Sequence, residues 1–203
     1  MIQTIVALIS GLVGAAFGFV GALYLQRRRD ADEARAQILS ILLEMSLLED
    51  AIAQGIERGH RLRETLRRDM WDRYRTALIN WVPWHLVSAL QAHDQQFDTV
   101  RLAYHTLSTT YAEGASLDDM YTLLWCFVSW SQTLRQEVQA SVRKLERTIL
   151  PMRPKGATPS ATEEQKLVRL VELLNRQALA FVRSKGIEPK THITVGITSI
   201  RGE

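Results

Sequence analysis

The chain has 203 residues, 46% of them hydrophobic, a net charge of +3 and a single cysteine. One cysteine excludes an intrachain disulfide and a cysteine-based metal cluster. So mild a positive balance argues against a nucleic-acid binder, which concentrates far more charge on one face.

The first 26 residues carry no charged side chain. Ile5 to Leu25 is an apolar run broken only by Ser10. As a helix rising about 1.5 Å per residue it spans roughly 30 Å, the thickness of bilayer hydrocarbon. No Lys or Arg precedes it, it exceeds the about 7–15 apolar residues of a signal peptide, and it ends in YLQRRR. Residues 1–26 therefore read as a retained transmembrane anchor in contact with the lipid bilayer. Arg27, Arg28 and Arg29 set the topology: positive charge stays inside, so the N-terminus lies outside and the C-terminal domain in the cytoplasm. On a helical wheel Ala7, Gly11, Gly14, Ala15, Gly18, Gly21 and Ala22 share roughly one third of the circumference. Small residues let helix backbones approach closely in lipid, so this stripe predicts self-association and a homo-oligomer.

Residues 27–150 follow as a juxtamembrane stalk and helical bundle. Ala31, Ala34, Ile38, Ile41, Met45, Leu48 and Ile52 step by alternate threes and fours, an a/d seam that Leu42 broadens. Gly55 and Gly59 predict a kink or end, and Leu62 and Leu66 a second short helical piece up to about Arg68. Residues 69–82 form a short aromatic-rich helix, and Pro83 suits the first turn of the next. That helix presents Leu86, Leu90, His93, Phe97, Val100, Tyr104, Leu107 and Tyr111 and stops near Gly114. Ser116 with Asp119 resembles a capping box. It opens a helix whose seam is Leu117, Met120, Leu124, Phe127, Ser131, Leu134, Val138 and Leu145.

Residues 151–161 are a Pro-rich linker. Residues 162–186 form a C-terminal helix capped by Ser160 or Thr162. Leu167, Leu170, Val171, Leu174, Phe181 and Val182 lie on one face, and Gly186 is the stop. The fold class is all-α, with a transmembrane helix followed by an antiparallel bundle of about four main helices. Residues 187–203 are an extended tail in which Ile193, Val195 and Ile197 alternate with Thr194, Gly196 and Thr198. It reads either as a disordered end or as a strand added to a partner's sheet.

The chemistry-bearing residues do not assemble into a known site. Glu57 and His60 make one Glu-x-x-His, where a di-iron bundle needs two and two further glutamates. His93 on an apolar seam reads as a hydrogen-bonded core histidine, and Cys126 as a buried free thiol. No catalytic, cofactor-binding or metal residues are assigned, and no cofactor is implied. Arg58 to Arg75 holds seven arginines. They begin roughly 40 Å beyond the bilayer if the stalk is one helix, several Debye lengths away. Arg61, Arg67 and Arg68, with the aromatics Trp71, Tyr74, Trp81 and Trp84, are the candidate surface for an unidentified protein partner. The alternative use of those aromatics is to plug the end of the core.

The layout of a membrane helix ending in basic residues, then ILLEMSLLEDAI, MWDRY and a Leu/Tyr helix ending LAYHTLS, resembles a group of bacterial single-pass membrane-anchored helical proteins. The likeness covers roughly residues 5–111. Ser46 or Leu47 stands where those proteins carry asparagine. It implies topology, at the bacterial inner membrane, and no activity. The expectation is a non-enzymatic interaction or scaffold protein, with a signalling relay through the stalk as the alternative and an enzyme third. A seam covered by the chain's own helices would count against oligomerisation through that seam. A pocket lined by several perturbed ionisable groups would favour an enzyme.

Overall fold

The computed structural model describes the backbone of residues 2–58, 66, 68–109, 117–145 and 159–188, and the side chains of residues 11–57, 66, 68–105, 119–144 and 159–188. Among the described residues the fold is all-helical: α1 (Ile2–Arg58), α2 (Asp69–Trp81), α3 (Trp84–Thr109), α4 (Leu117–Leu145) and α5 (Ala161–Ser184).

α1 is one unbroken helix of 57 residues with two environments. Every side chain from residue 11 to residue 30 is exposed. From Ala31 onward one face enters the bundle, and Ala31, Ala34, Ile38, Ile41, Leu42, Met45 and Ile52 are buried in the spacing the seam predicts. Leu48 is partly buried against the same core. α4 lies at the centre and packs on α1, α3 and α5. Its own stripe, Leu124, Phe127, Ser131, Leu134 and Val138, is buried throughout. Thr133 bonds Gln177 while Trp125 meets Phe181 and Lys185, so α5 runs antiparallel to α4. On α1, Glu49 pairs with Arg135, and Glu57 reaches Lys185 beside Trp125, so α4 is antiparallel to α1 as well.

The helix ends follow local chemistry. Ser160 is the N-cap of α5 and forms the full capping box with Glu163. At the other end Gly186 has φ 77°, the left-handed conformation that costs glycine nothing. Gly186 N–H donates to Arg183 O and Ile187 N–H to Val182 O, the paired bonds of a Schellman ending, and Ile187 packs on the core. Pro83 sits just before α3, where its carbonyl accepts from Leu86 and Val87 N–H.

One expectation is corrected. Leu66 and Arg68 are not helical. Arg68 is the N-cap of α2 and Leu66 is buried in the core, while Leu62 lies outside the described residues. The linker residues 151–158, the Ser116 cap and the alternating tail residues 193–198 lie outside the described residues. Among the described residues no helix is long and apolar enough to cross a membrane. The expected span starts at Ile5, and the side chains of residues 1–10 are outside the described ones.

Candidate functional site

The projecting part of α1 is the most unusual surface. Leu12, Phe17, Phe19, Val20 and Leu25 are each at least 60% exposed, and no charged residue interrupts the sequence before Arg27. In water such a surface is unfavourable by about 25 cal/mol per Å² of apolar area. Gly11, Gly14, Gly18 and Gly21 have open space where a side chain would be, so nothing in the monomer requires a glycine there. With Ala15 and Ala22, which are also exposed, they form a strip of small residues that no other described residue covers.

Where α1, α2 and α3 meet, the chain builds a polar junction from residues far apart in sequence. The first turn of any helix leaves N–H groups without intrahelical partners. In α2 they are met by Glu44 of α1, whose two carboxylate oxygens accept from Met70 N–H at 2.9 Å and Trp71 N–H at 3.0 Å. Burial raises the Glu44 carboxyl above its ordinary value, and the two N–H groups oppose that. Arg68 donates to the Asp94 carboxylate at 2.7 Å and to its backbone carbonyl at 3.1 Å, and its guanidinium lies 5.0 Å from the Phe97 ring. Burial raises Asp94 also, against the lowering effect of Arg68 and a hydrogen bond from the Trp71 side chain.

His93 stacks on Phe127 with ring centroids 4.0 Å apart, and its Nε2 is buried without a hydrogen-bond partner. Burial lowers its imidazole to about 4, so it is neutral at physiological pH. These groups line a cavity of about 30 Å³. That holds a water molecule or two, whereas ligand pockets run to about 300–1,000 Å³. Three perturbed ionisable groups do share a cavity. Two of them, Glu44 and Asp94, already serve a helix cap and an ion pair.

A second polar cluster ties α1 to α4. Glu49 is 2% exposed. Arg135 donates to both its oxygens, Nε at 3.1 Å and Nη2 at 2.7 Å, and Ser131 Oγ donates at 2.7 Å. The bond to Glu49 raises the Arg135 guanidinium above its ordinary value. At the end of α5, the Lys185 ammonium lies 4.3 Å from the Trp125 ring and 5.6 Å from Phe181, and bonds Glu57 at 3.1 Å.

Of the sequence-predicted partner surface, Arg68 and Trp71 are engaged inside this fold, Trp71 being only 8% exposed. Tyr74, Trp81 and Trp84 are partly buried against the core. Arg61 and Arg67 lie outside the described residues, as does His60. Arg27, Arg28 and Arg29 are exposed on α1. Among the described residues no group of three His, Cys, Asp or Glu side chains could hold a metal ion. Sequence reasoning passed over Glu44, Glu49 and Arg135. Glu49 carried a signal, since it lies four residues after Met45 and three before Ile52, on the apolar side of its helix. Set against protein-family models, curated proteins and solved structures, the chain has no match.

Proposed function

We propose that this chain is a non-enzymatic membrane-anchored helical protein that acts by self-association and partner binding. In this reading residues 1–26 cross the bacterial inner membrane with the N-terminus outside, and the bundle stands in the cytoplasm. The observation that carries it is the projecting part of α1: an uncharged helix surface with every described side chain exposed through Gln26, then three exposed arginines, then from Ala31 a face buried in the bundle. A helix apolar on all sides needs an apolar surrounding, and lipid supplies one. Tyr74, Trp81 and Trp84, being only partly buried, are the portion of the arginine- and aromatic-rich segment best placed to meet a partner.

The signalling alternative draws on the continuity of α1. An unbroken helix from Ile2 to Arg58 would carry a shift of the anchor directly into the bundle core.

Carbonate extraction of membranes from cells expressing the full chain tests the anchor. The protein is expected in the pellet, and recovery in the soluble fraction overturns the reading. A membrane-impermeant maleimide applied to intact cells tests orientation. It is expected to label Thr4→Cys, because the buried Cys126 stays silent. Labelling only after cell lysis would reverse the topology.

A further inference from the structure

Counted along α1 alone, the arginine- and aromatic-rich segment begins roughly 40 Å beyond a bilayer. The fold brings part of it back. Glu44 of α1 meets the first turn of α2 at Met70 and Trp71. Arg68, the N-cap of α2, bonds Asp94 of α3, and Tyr104 Oη donates to Ala51 O of α1. Asp94 thus lies near the level of Glu44 and Tyr104 nearer that of Ala51, so α3 runs parallel to α1. α2 starts beside Glu44 and ends where α3 begins, so it runs back toward the anchor. Trp71 to Trp81 along α2 and Asp94 to Trp84 along α3 are each ten residues, about 15 Å. Both counts set the α2–α3 corner level with about Ala34. Ala34 is nine residues, about 14 Å, beyond Leu25, the last residue of the apolar run.

The corner suits that position. Ile79 is 41% exposed, and Trp81 and Trp84 keep part of their surface in solvent. From Thr76 to His93 the chain has no Asp, Glu, Lys or Arg. We infer that the α2–α3 corner, through Ile79, Trp81 and Trp84, rests on the headgroup layer of the bilayer that holds the anchor. This depends on the membrane-anchor reading above and gives its partly buried tryptophans a lipid partner.

Headgroups extend about 5–8 Å beyond the hydrocarbon on each side, which leaves about 6–9 Å between them and the corner backbone. The length of an indole side chain, with the common membrane-helix tilt of about 20° toward that side, closes such a gap. Tryptophan concentrates in this layer because its ring is apolar and its N–H is polar. No charged side chain at the corner has to give up water to enter it. Two tryptophans and an isoleucine fall far short of the roughly 800 Å² that each partner of a stable soluble complex buries. A surface held beside the bilayer by its own anchor needs much less, because tethering makes the contact effectively intramolecular.

The test uses the full chain in phosphatidylcholine vesicles, with and without phosphatidylcholine carrying a headgroup nitroxide, and an NBD fluorophore on one introduced cysteine, the native Cys126 being buried. Tyr24→Cys marks the anchor. Leu102→Cys, 68% exposed on α3 and 18 residues past Trp84, marks a surface about 27 Å further from the corner. Tyr24→Cys and Ile79→Cys are expected to lose emission to the nitroxide, and Leu102→Cys to keep it. Emission at Ile79→Cys as well preserved as at Leu102→Cys, while Tyr24→Cys is quenched, overturns the inference and leaves the anchor standing. Preserved emission at Tyr24→Cys overturns both. The same nitroxide is expected to quench part of the native tryptophan emission, and Trp81→Phe/Trp84→Phe to abolish that part, because Trp71, Trp125 and Trp130 are buried. Quenching undiminished in the double variant would place the lipid contact elsewhere and also overturn the inference.

Discussion

Replacing Arg135 by methionine asks whether its guanidinium is what allows a carboxylate inside the bundle. The Glu49 side chain is 3% exposed and that of Arg135 31%. The substitution removes two charge-assisted hydrogen bonds and leaves Glu49 only the Ser131 hydroxyl at 2.7 Å. Breaking a buried pair from one side costs about 3–5 kcal/mol, because the remaining charge is desolvated without compensation. Arg135 reaches the surface, so water enters where it stood and the lower end applies, about 3 kcal/mol. That is a large part of the roughly 5–15 kcal/mol by which a domain is stable. Replacing the carboxylate as well, in Glu49→Leu/Arg135→Met, removes the stranded charge. Only Ser131 then lacks its acceptor, at about 1 kcal/mol, so the double variant is expected to be more stable than the single one. Urea unfolding of the full chain in mild detergent measures this, with tryptophan fluorescence reporting on Trp130, which is 1% exposed on the same helix. A single variant within about 0.5 kcal/mol of wild type, the scatter of ordinary surface substitutions, would sink the reasoning. So would a double variant no better than the single.

Two further predictions concern groups inside the core. The His93 imidazole is lowered from 6.5 to about 4. A depressed histidine contributes stability that is whole above pH 6.5 and is lost as pH falls through that window, because the unfolded chain takes up the proton first. Between pH 7 and pH 4.5 wild type is expected to lose about 2–3 kcal/mol more than His93→Phe in urea unfolding. Equal losses would show that the histidine is not buried neutral. Glu44 and Asp94, both raised, change stability in the opposite direction over the acid range, and comparing the two proteins cancels them. Burial pushes the Cys126 thiol up to about 11, so a disulfide reagent at pH 8 is expected to react with it only after denaturant is added. Prompt labelling of the native chain would mean that α4 opens locally.

Much of the fold is written in spacing. Steps of three and four residues place Ile38, Ile41, Met45 and Ile52 on one side of α1 wherever that side turns, because the helix repeat is a property of the backbone. The Ser160–Glu163 box and Gly186 bound α5 for equally local reasons: each satisfies backbone groups within a few residues of itself. The apolar, uncharged start of α1 and the alignment of its glycines are likewise properties of consecutive residues.

Spacing does not say what faces a seam. Only the packing of α2 and α4 on α1 decided that the seam would be covered from within, which left Leu39, Leu43 and Leu47 as the outward row. Only the packing of α4 joined Glu49 to Arg135, 86 residues away, and only that of α2 brought its first turn to Glu44. A lone glutamate carries no local record of the donor that will neutralise it. Arg68 and Trp71 show the same limit: residue types enriched at protein interfaces are here spent on Asp94 and the core. Local periodicity determined which residues share a face. Tertiary structure decided which faces are shared, because burial and charge pairing depend on contacts between segments that the chain brings together only on folding.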